Sequence, residues 1–129
     1  WNSFKIMLRT LVPIGLGGGI GSIFRYLTVV WVSKHYSNYF PLATLTANVI
    51  GCFLIGLIFG LSAKQQLISD DLKFLLITGF CGGYTTFSAF AYENMSLLQS
   101  NNSITAFLYI AASVLISLLA VWAGLTISK

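Results

Sequence analysis

The chain has 129 residues, of which 57% are hydrophobic and 8% charged, whereas soluble domains carry roughly 25% charged residues. Seven basic and three acidic side chains are too few to cover the large surface of so small a globule, which excludes a soluble domain. The mean hydropathy of +0.85 indicates an integral membrane protein instead.

The net charge of +4 does not indicate nucleic-acid binding, because the basic residues stand singly at the ends of apolar runs. Cys52 and Cys81 lie inside apolar runs, which favours packing residues over a disulfide framework. The only histidine, His35, has no cysteine or carboxylate cluster near it in the sequence. Neither a metal site nor a catalytic triad can be assembled from these residues, so an enzyme is not expected.

Four apolar segments reach the roughly 20 residues that a helix needs to cross a bilayer. The predicted fold is therefore all-α, a single four-helix transmembrane domain over residues 1–129, with spans at about 7–32, 41–63, 72–98 and 103–127. The predicted connections are short and polar, at 33–40, 64–71 and 99–102. Short connections make neighbouring helices antiparallel. The first span lacks a small-residue cleavage site, which predicts a retained helix rather than a signal peptide.

Basic residues are unevenly divided between the two sides of this bundle. Lys34 lies on one side, with Arg25 near the same membrane surface, and the other side carries Lys5, Arg9, Lys64, Lys73 and Lys129. Taken alone, the positive-inside rule places both termini in the cytoplasm.

Two features of the spans concern packing and backbone. Gly17 with Gly21, and Gly56 with Gly60, have the spacing that lets helix backbones approach closely. The third span contains residues 79–88, Gly-Phe-Cys-Gly-Gly-Tyr-Thr-Thr-Phe-Ser, whose glycines and threonines weaken a helix. A break at membrane depth needs burial or a cavity, and broken helices often form ion sites. We expect an ion site here, with a plain kink as the alternative.

Polar side chains follow the other spans. Thr44 and Asn48 share one face of the second helix, and a second set repeats every four residues along the fourth, at Thr105, Tyr109, Ser113 and Ser117. At 1.5 Å per residue, Arg25 lies about 27 Å along the first span, counted from Met7, and is therefore near the far membrane surface. Counted from Pro41, Asn48 lies about 10 Å below that same surface. The residues predicted to converge on one vestibule are Arg25, Asn48, Glu93 and Tyr109. Phe87 and Phe90 share a face beyond the break, where ring edges can favour an anion.

These motifs together resemble the Fluc (CrcB) family of fluoride channels over essentially the whole chain. They are Gly17-x-x-x-Gly21-x-x-x-Arg25-Tyr26, Thr44-x-Thr46-x-Asn48-x-x-Gly51 and the residues 79–88. The resemblance implies a fluoride-selective passive channel, a multi-pass protein of the cell (inner) membrane, that reduces fluoride toxicity. It also implies an antiparallel, dual-topology homodimer with two pores, which differs from the single orientation that the charge bias predicts.

Particular residues acquire expected roles from this resemblance. The fluoride pore is expected to be lined by Phe87, Phe90, Asn48, Thr44, Tyr109, Ser113 and Ser117. Arg25 and Glu93 are expected near the vestibule. The backbone carbonyls of Gly82 and Thr85 are expected to hold a central structural sodium ion that is not transported, at a backbone turn of Gly82 or Gly83.

Two alternatives stay open at the level of the sequence. A small multidrug-resistance-type exporter, coupled to protons, also has four helices, but such proteins need a carboxylate within the first helix. This chain has no Asp or Glu before Asp70, which argues against that class. A non-transporting membrane subunit would explain the glycines but not the polar ladder or the predicted break.

Overall fold

The computed structural model describes residues 2–36, 40–65 and 68–128, and every regular element in those ranges is helical. Residues 37–39 and 66–67, in the middle of two predicted connections, and the terminal residues 1 and 129 lie outside the described residues. The helices are α1 (Asn2–His35), α2 (Leu42–Gln65), α3 (residues 70–84), α4 (Phe87–Gln99) and α5 (Ser103–Ser128).

Four stretches of this structure are long and apolar enough to cross a membrane, which confirms the four predicted spans. The third consists of α3 and α4 in succession. Helix α1, at 34 residues, is about 51 Å long, so it exceeds the roughly 30 Å of a hydrocarbon core. Most large apolar side chains on the helices are exposed, as expected where lipid is the solvent.

The helices pack in two close pairs, α1 with α3 and α2 with α5. In the first pair, a Cβ added at Gly79 would lie 2.8 Å from the Ile14 backbone oxygen, and one at Gly17 would collide with the Leu75 backbone oxygen. In the second pair, a Cβ added at Gly56 or at Gly124 would likewise collide with a backbone oxygen of the opposite helix. The small residues therefore let backbones touch, as their spacing predicts.

Helix α3 is irregular along its length. Ser69 caps its first turn, accepting a hydrogen bond from the Leu72 N–H at 3.2 Å. The middle stretch, Phe74–Cys81, is π-helical, with wider turns than an α-helix. The last turn, Gly82–Tyr84, is α-helical again.

The predicted break in the third span is present, but it does not lie at the glycines. Thr85 and Thr86 are extended, with φ/ψ of −84°/157° and −150°/122°, and α4 begins at Phe87. The expected turn at Gly82 or Gly83 is wrong, because both residues are helical and no glycine in the described ranges has positive φ. Gly83 is instead required by packing, since an added Cβ would lie 3.0 Å from the Gly18 Cα.

The close α1–α3 contact generates a prediction about two glycines of one helix. Gly17→Ala should lower the free energy of unfolding by about 1–3 kcal/mol, because the new methyl group has no room between two backbones. The change is measured as a lower melting temperature in detergent. Gly15→Ala is the matched control, since a Cβ there meets nothing within 4 Å and alanine favours helix. Equal melting temperatures for the two variants would contradict the packing argument.

Candidate functional site

The break in the third span is held by a side chain of α2. The Thr86 N–H donates to Asn48 Oδ1 at 2.7 Å, and Asn48 Nδ2 donates to the Thr86 carbonyl at 3.1 Å. A single amide thus satisfies both backbone polar groups of an extended residue at membrane depth, where the helical partners are missing. The Thr86 hydroxyl in turn caps α4 by accepting from the Ala89 N–H at 3.2 Å.

Beside this break lies a groove of about 310 Å³ between α2, α4 and α5. It contains five of the seven predicted pore residues together with Thr85, and its lining is Asn48, Cys52, Ile55, Thr85, Thr86, Phe87, Phe90, Ser113, Val114 and Ser117. Ser113 is 8% exposed, and its hydroxyl oxygen has no hydrogen-bond partner within the part of the chain that the structure describes. A buried hydroxyl without a partner can still donate to a ligand.

Phe87 and Phe90 occupy the first turn of α4, as their i,i+3 spacing predicts. Their ring centroids are 5.6 Å apart and the planes are tilted by 45°. Phe87 is 77% exposed, whereas Phe90 is half-buried against the ring of Tyr109 at 5.0 Å. Within one protomer, therefore, only the ring of Phe90 packs into the core, and the ring of Phe87 is on the surface.

The other two predicted pore residues, Thr44 and Tyr109, bind Glu93 instead of lining the groove. The Thr44 hydroxyl donates to Glu93 Oε2 at 2.8 Å, and the Tyr109 hydroxyl donates to Oε1 at 2.9 Å. Thr44 is 6% exposed and Tyr109 is fully buried. Hydrogen bonds to a carboxylate from two buried hydroxyls are charge-assisted and strong.

Glu93 and Arg25 meet at a separate cavity of about 530 Å³, which Thr44 and Thr86 also line. The structure thus brings together three members of the predicted vestibule, Arg25, Glu93 and Tyr109, the last through its bond to Glu93. Asn48 is the exception, since it lines the groove on the other side of Thr86. Glu93 also lines a third cavity, of about 430 Å³, toward the connections at Tyr36 and Asn102.

Sequence reasoning missed four residues that line the groove, Cys52, Ile55, Thr86 and Val114. Cys52 follows Asn48 by four residues and lies on the same helix face, so the spacing could have indicated it. The sequence indicates Thr86 only as a helix-weakening residue, because its pairing with a residue 38 positions away carries no local signal. Thr105, the first member of the polar ladder, lines neither the groove nor the cavity at Arg25.

Helices of membrane-spanning length, with polar side chains gathered beside a break in one of them, define a multi-pass membrane protein with a polar site at membrane depth. The family model for the CrcB-like protein, Camphor Resistance (CrcB), matches residues 12–125. The chain belongs to this family, which confirms the resemblance and decides against the multidrug-exporter alternative.

Its relatives are similar over nearly their full length. The fluoride-specific ion channel FluC of Flavobacterium psychrophilum is 55% identical over 122 residues, covering 95% of this chain and 98% of the relative. The protein of the same name from Campylobacter fetus is 50% identical, covering 93% and 94%. That of Azobacteroides pseudotrichonymphae is 39% identical, covering 95% and 98%. These relatives are ion channels and not enzymes, as expected for this chain, and the family belongs to the inner membrane in bacteria.

The hydrogen bonds to Glu93 predict that the hydroxyl of Tyr109 contributes more to stability than the hydroxyl of Tyr92. Tyr109→Phe removes a donor from a half-buried carboxylate and should lower stability by about 1.5–3 kcal/mol. Tyr92→Phe removes a hydroxyl from a side chain that is 74% exposed, and its effect should stay within about 0.5 kcal/mol. The measurement is thermal unfolding of both variants in the same detergent. A Tyr109→Phe protein as stable as the parent would show that the Glu93 bond contributes nothing.

Proposed function

We propose that this protein is a fluoride-selective channel through which fluoride leaves the cell passively, which reduces fluoride toxicity. The observation that carries the proposal is the groove beside the break, where the rings of Phe87 and Phe90 stand opposite hydroxyl and amide groups. The names of the relatives support fluoride as the ion.

The chemistry of the groove suits a small, strongly hydrated anion. A pore must replace the lost water with several partners, none of them strong enough to trap the ion. Ring edges carry positive electrostatic potential, and the hydroxyls of Ser113 and Ser117 are neutral donors. The N-terminus of α4 adds a favourable dipole for an anion at the same place.

The assembly that we propose is an antiparallel homodimer with two pores. The groove is open on the protomer surface, because the ring of Phe87 is 77% exposed. Gly82 is exposed as well, in the middle of the third span. Polar groups that face lipid are costly, so a second copy that covers them would be stabilising. In an antiparallel arrangement each pore would have a vestibule with Arg25 and Glu93 on either side of the membrane.

The carbonyls at the break could hold a structural sodium ion at the contact between the two subunits. Gly82 and Thr85 would supply carbonyl oxygens, the ligand type that coordinates alkali cations in membrane proteins. The ion would supply positive charge that offsets carbonyls left without helical partners. It would neither move through the pore nor take part in selectivity.

The aromatic groove is tested by fluoride efflux from liposomes that contain the purified protein. Phe87→Ile and Phe90→Ile should each lower efflux by about tenfold or more, equivalent to about 1.4 kcal/mol of barrier, because both remove a ring edge from the pore. Phe107→Ile, at an exposed position on α5 outside the groove, should conduct like the parent.

Size-exclusion profiles accompany these fluxes, since Phe90 also packs on Tyr109 and its replacement costs some stability. Parent-like efflux in both Phe87→Ile and Phe90→Ile would rule out the ring-edge mechanism. The absence of fluoride efflux from the parent protein would rule out the proposed function.

Dual topology is tested by labelling in cells. A cysteine at Gln99, which is exposed at the end of α4, should react with a membrane-impermeant thiol reagent added from either side. The parent protein is the control, because Cys81 is buried and Cys52 is half-buried within the spans. Labelling of Gln99→Cys from one side only would support the orientation given by the charge bias and contradict the antiparallel dimer.

A further inference from the structure

Two carbonyl groups at the break have lost the donors that a continuous helix would give them. In an α-helix the N–H of residue i+4 donates to the carbonyl of residue i. The Gly82 carbonyl would therefore accept from the Thr86 N–H, and the Thr85 carbonyl would accept from the Ala89 N–H.

Both donors are diverted by side chains. The Thr86 N–H donates to Asn48 Oδ1 at 2.7 Å, which leaves the Gly82 carbonyl without it. The Ala89 N–H donates to the Thr86 hydroxyl at 3.2 Å, which leaves the Thr85 carbonyl without it. Asn48 Nδ2 also donates to the Thr86 carbonyl at 3.1 Å, so the extended backbone cannot easily return to a helix.

We propose that Asn48 and Thr86 are positioning residues for the cation site, because they withdraw the competing N–H groups from the Gly82 and Thr85 carbonyls. The inference rests on the sodium site proposed above and gives Asn48 a second duty besides lining the pore. A carbonyl that already accepts an N–H bond offers less electron density to a cation. Loss of either side chain therefore weakens sodium binding without removing any ligand.

The role of each side chain can be separated by substitution. Asn48→Leu keeps the size of the side chain and removes both of its bonds to Thr86, so the Thr86 N–H is free to return to Gly82. Thr86→Val is isosteric and removes the hydroxyl that caps Ala89. Thr86→Ser keeps that hydroxyl and serves as the conservative rescue. Thr46→Val makes the same chemical change on the helix that carries Asn48 and leaves the break intact.

The experiment measures the melting temperature of the purified protein in detergent while NaCl replaces N-methylglucamine chloride at constant ionic strength. Because the ion binds the folded state, the parent should melt at higher temperature as sodium rises. In Asn48→Leu and Thr86→Val, the sodium concentration that gives half of this shift should rise by about tenfold or more, which corresponds to about 1.4 kcal/mol. Thr86→Ser and Thr46→Val should keep the parent's value.

The outcomes separate the inference from the proposals on which it rests. If Asn48→Leu and Thr86→Val melt at lower temperature with an unchanged half-shift concentration, both residues are purely structural and the inference is wrong. If one of them does not fold, the other decides. A parent protein without any sodium-dependent shift would overturn the cation site and the inference with it, whereas fluoride efflux from liposomes remains a separate test of the channel.

Discussion

A backbone polar group inside a bilayer has no water to bind, and the third span meets this constraint where its helix stops. Asn48 resolves it by presenting one acceptor and one donor to Thr86, as a neighbouring peptide group would in a sheet. These two hydrogen bonds also tie α2 to the start of α4, so the orientation of Phe87 and the lining of the groove depend on them. Without these two hydrogen bonds, the N–H and carbonyl of the half-buried Thr86 would lose the partners that replace those of a continuous helix.

The glycines where the helices pack most closely serve contact and not flexibility. Gly17 and Gly79 bring the backbones of α1 and α3 together, and Gly56 and Gly124 do the same for α2 and α5. Close packing in lipid depends on van der Waals contact, because no hydrophobic driving force acts between helices there. The groove lies where α4 meets α2 and α5 less closely than the helices of the two tight pairs meet each other.

Length and hydropathy were enough to predict the four spans, and helical spacing was enough to place Phe87 beside Phe90 and Ser113 beside Ser117. The position of the break was predicted less well, because intrinsic propensity pointed to Gly82 and tertiary packing keeps that residue helical. Pairings between distant helices leave no local signal, so neither the bond from Asn48 to Thr86 nor the bonds to Glu93 could be deduced. Motif resemblance, and not periodicity, supplied the identity of the ion.

The two charged groups at the cavity outside the groove differ in how they are bound. Glu93 accepts hydrogen bonds from two hydroxyls, which hold its carboxylate toward α2 and α5. Arg25 lines the same cavity, and no ion pair joins it to Glu93 in the ranges that the structure describes. The guanidinium charge is therefore not cancelled by a carboxylate contact. In the proposed channel such a charge raises the local anion concentration at the entrance, and it does so without a strong binding site inside the pore. Attraction at the mouth and weak binding deeper in the groove are the combination that lets an anion both enter and leave.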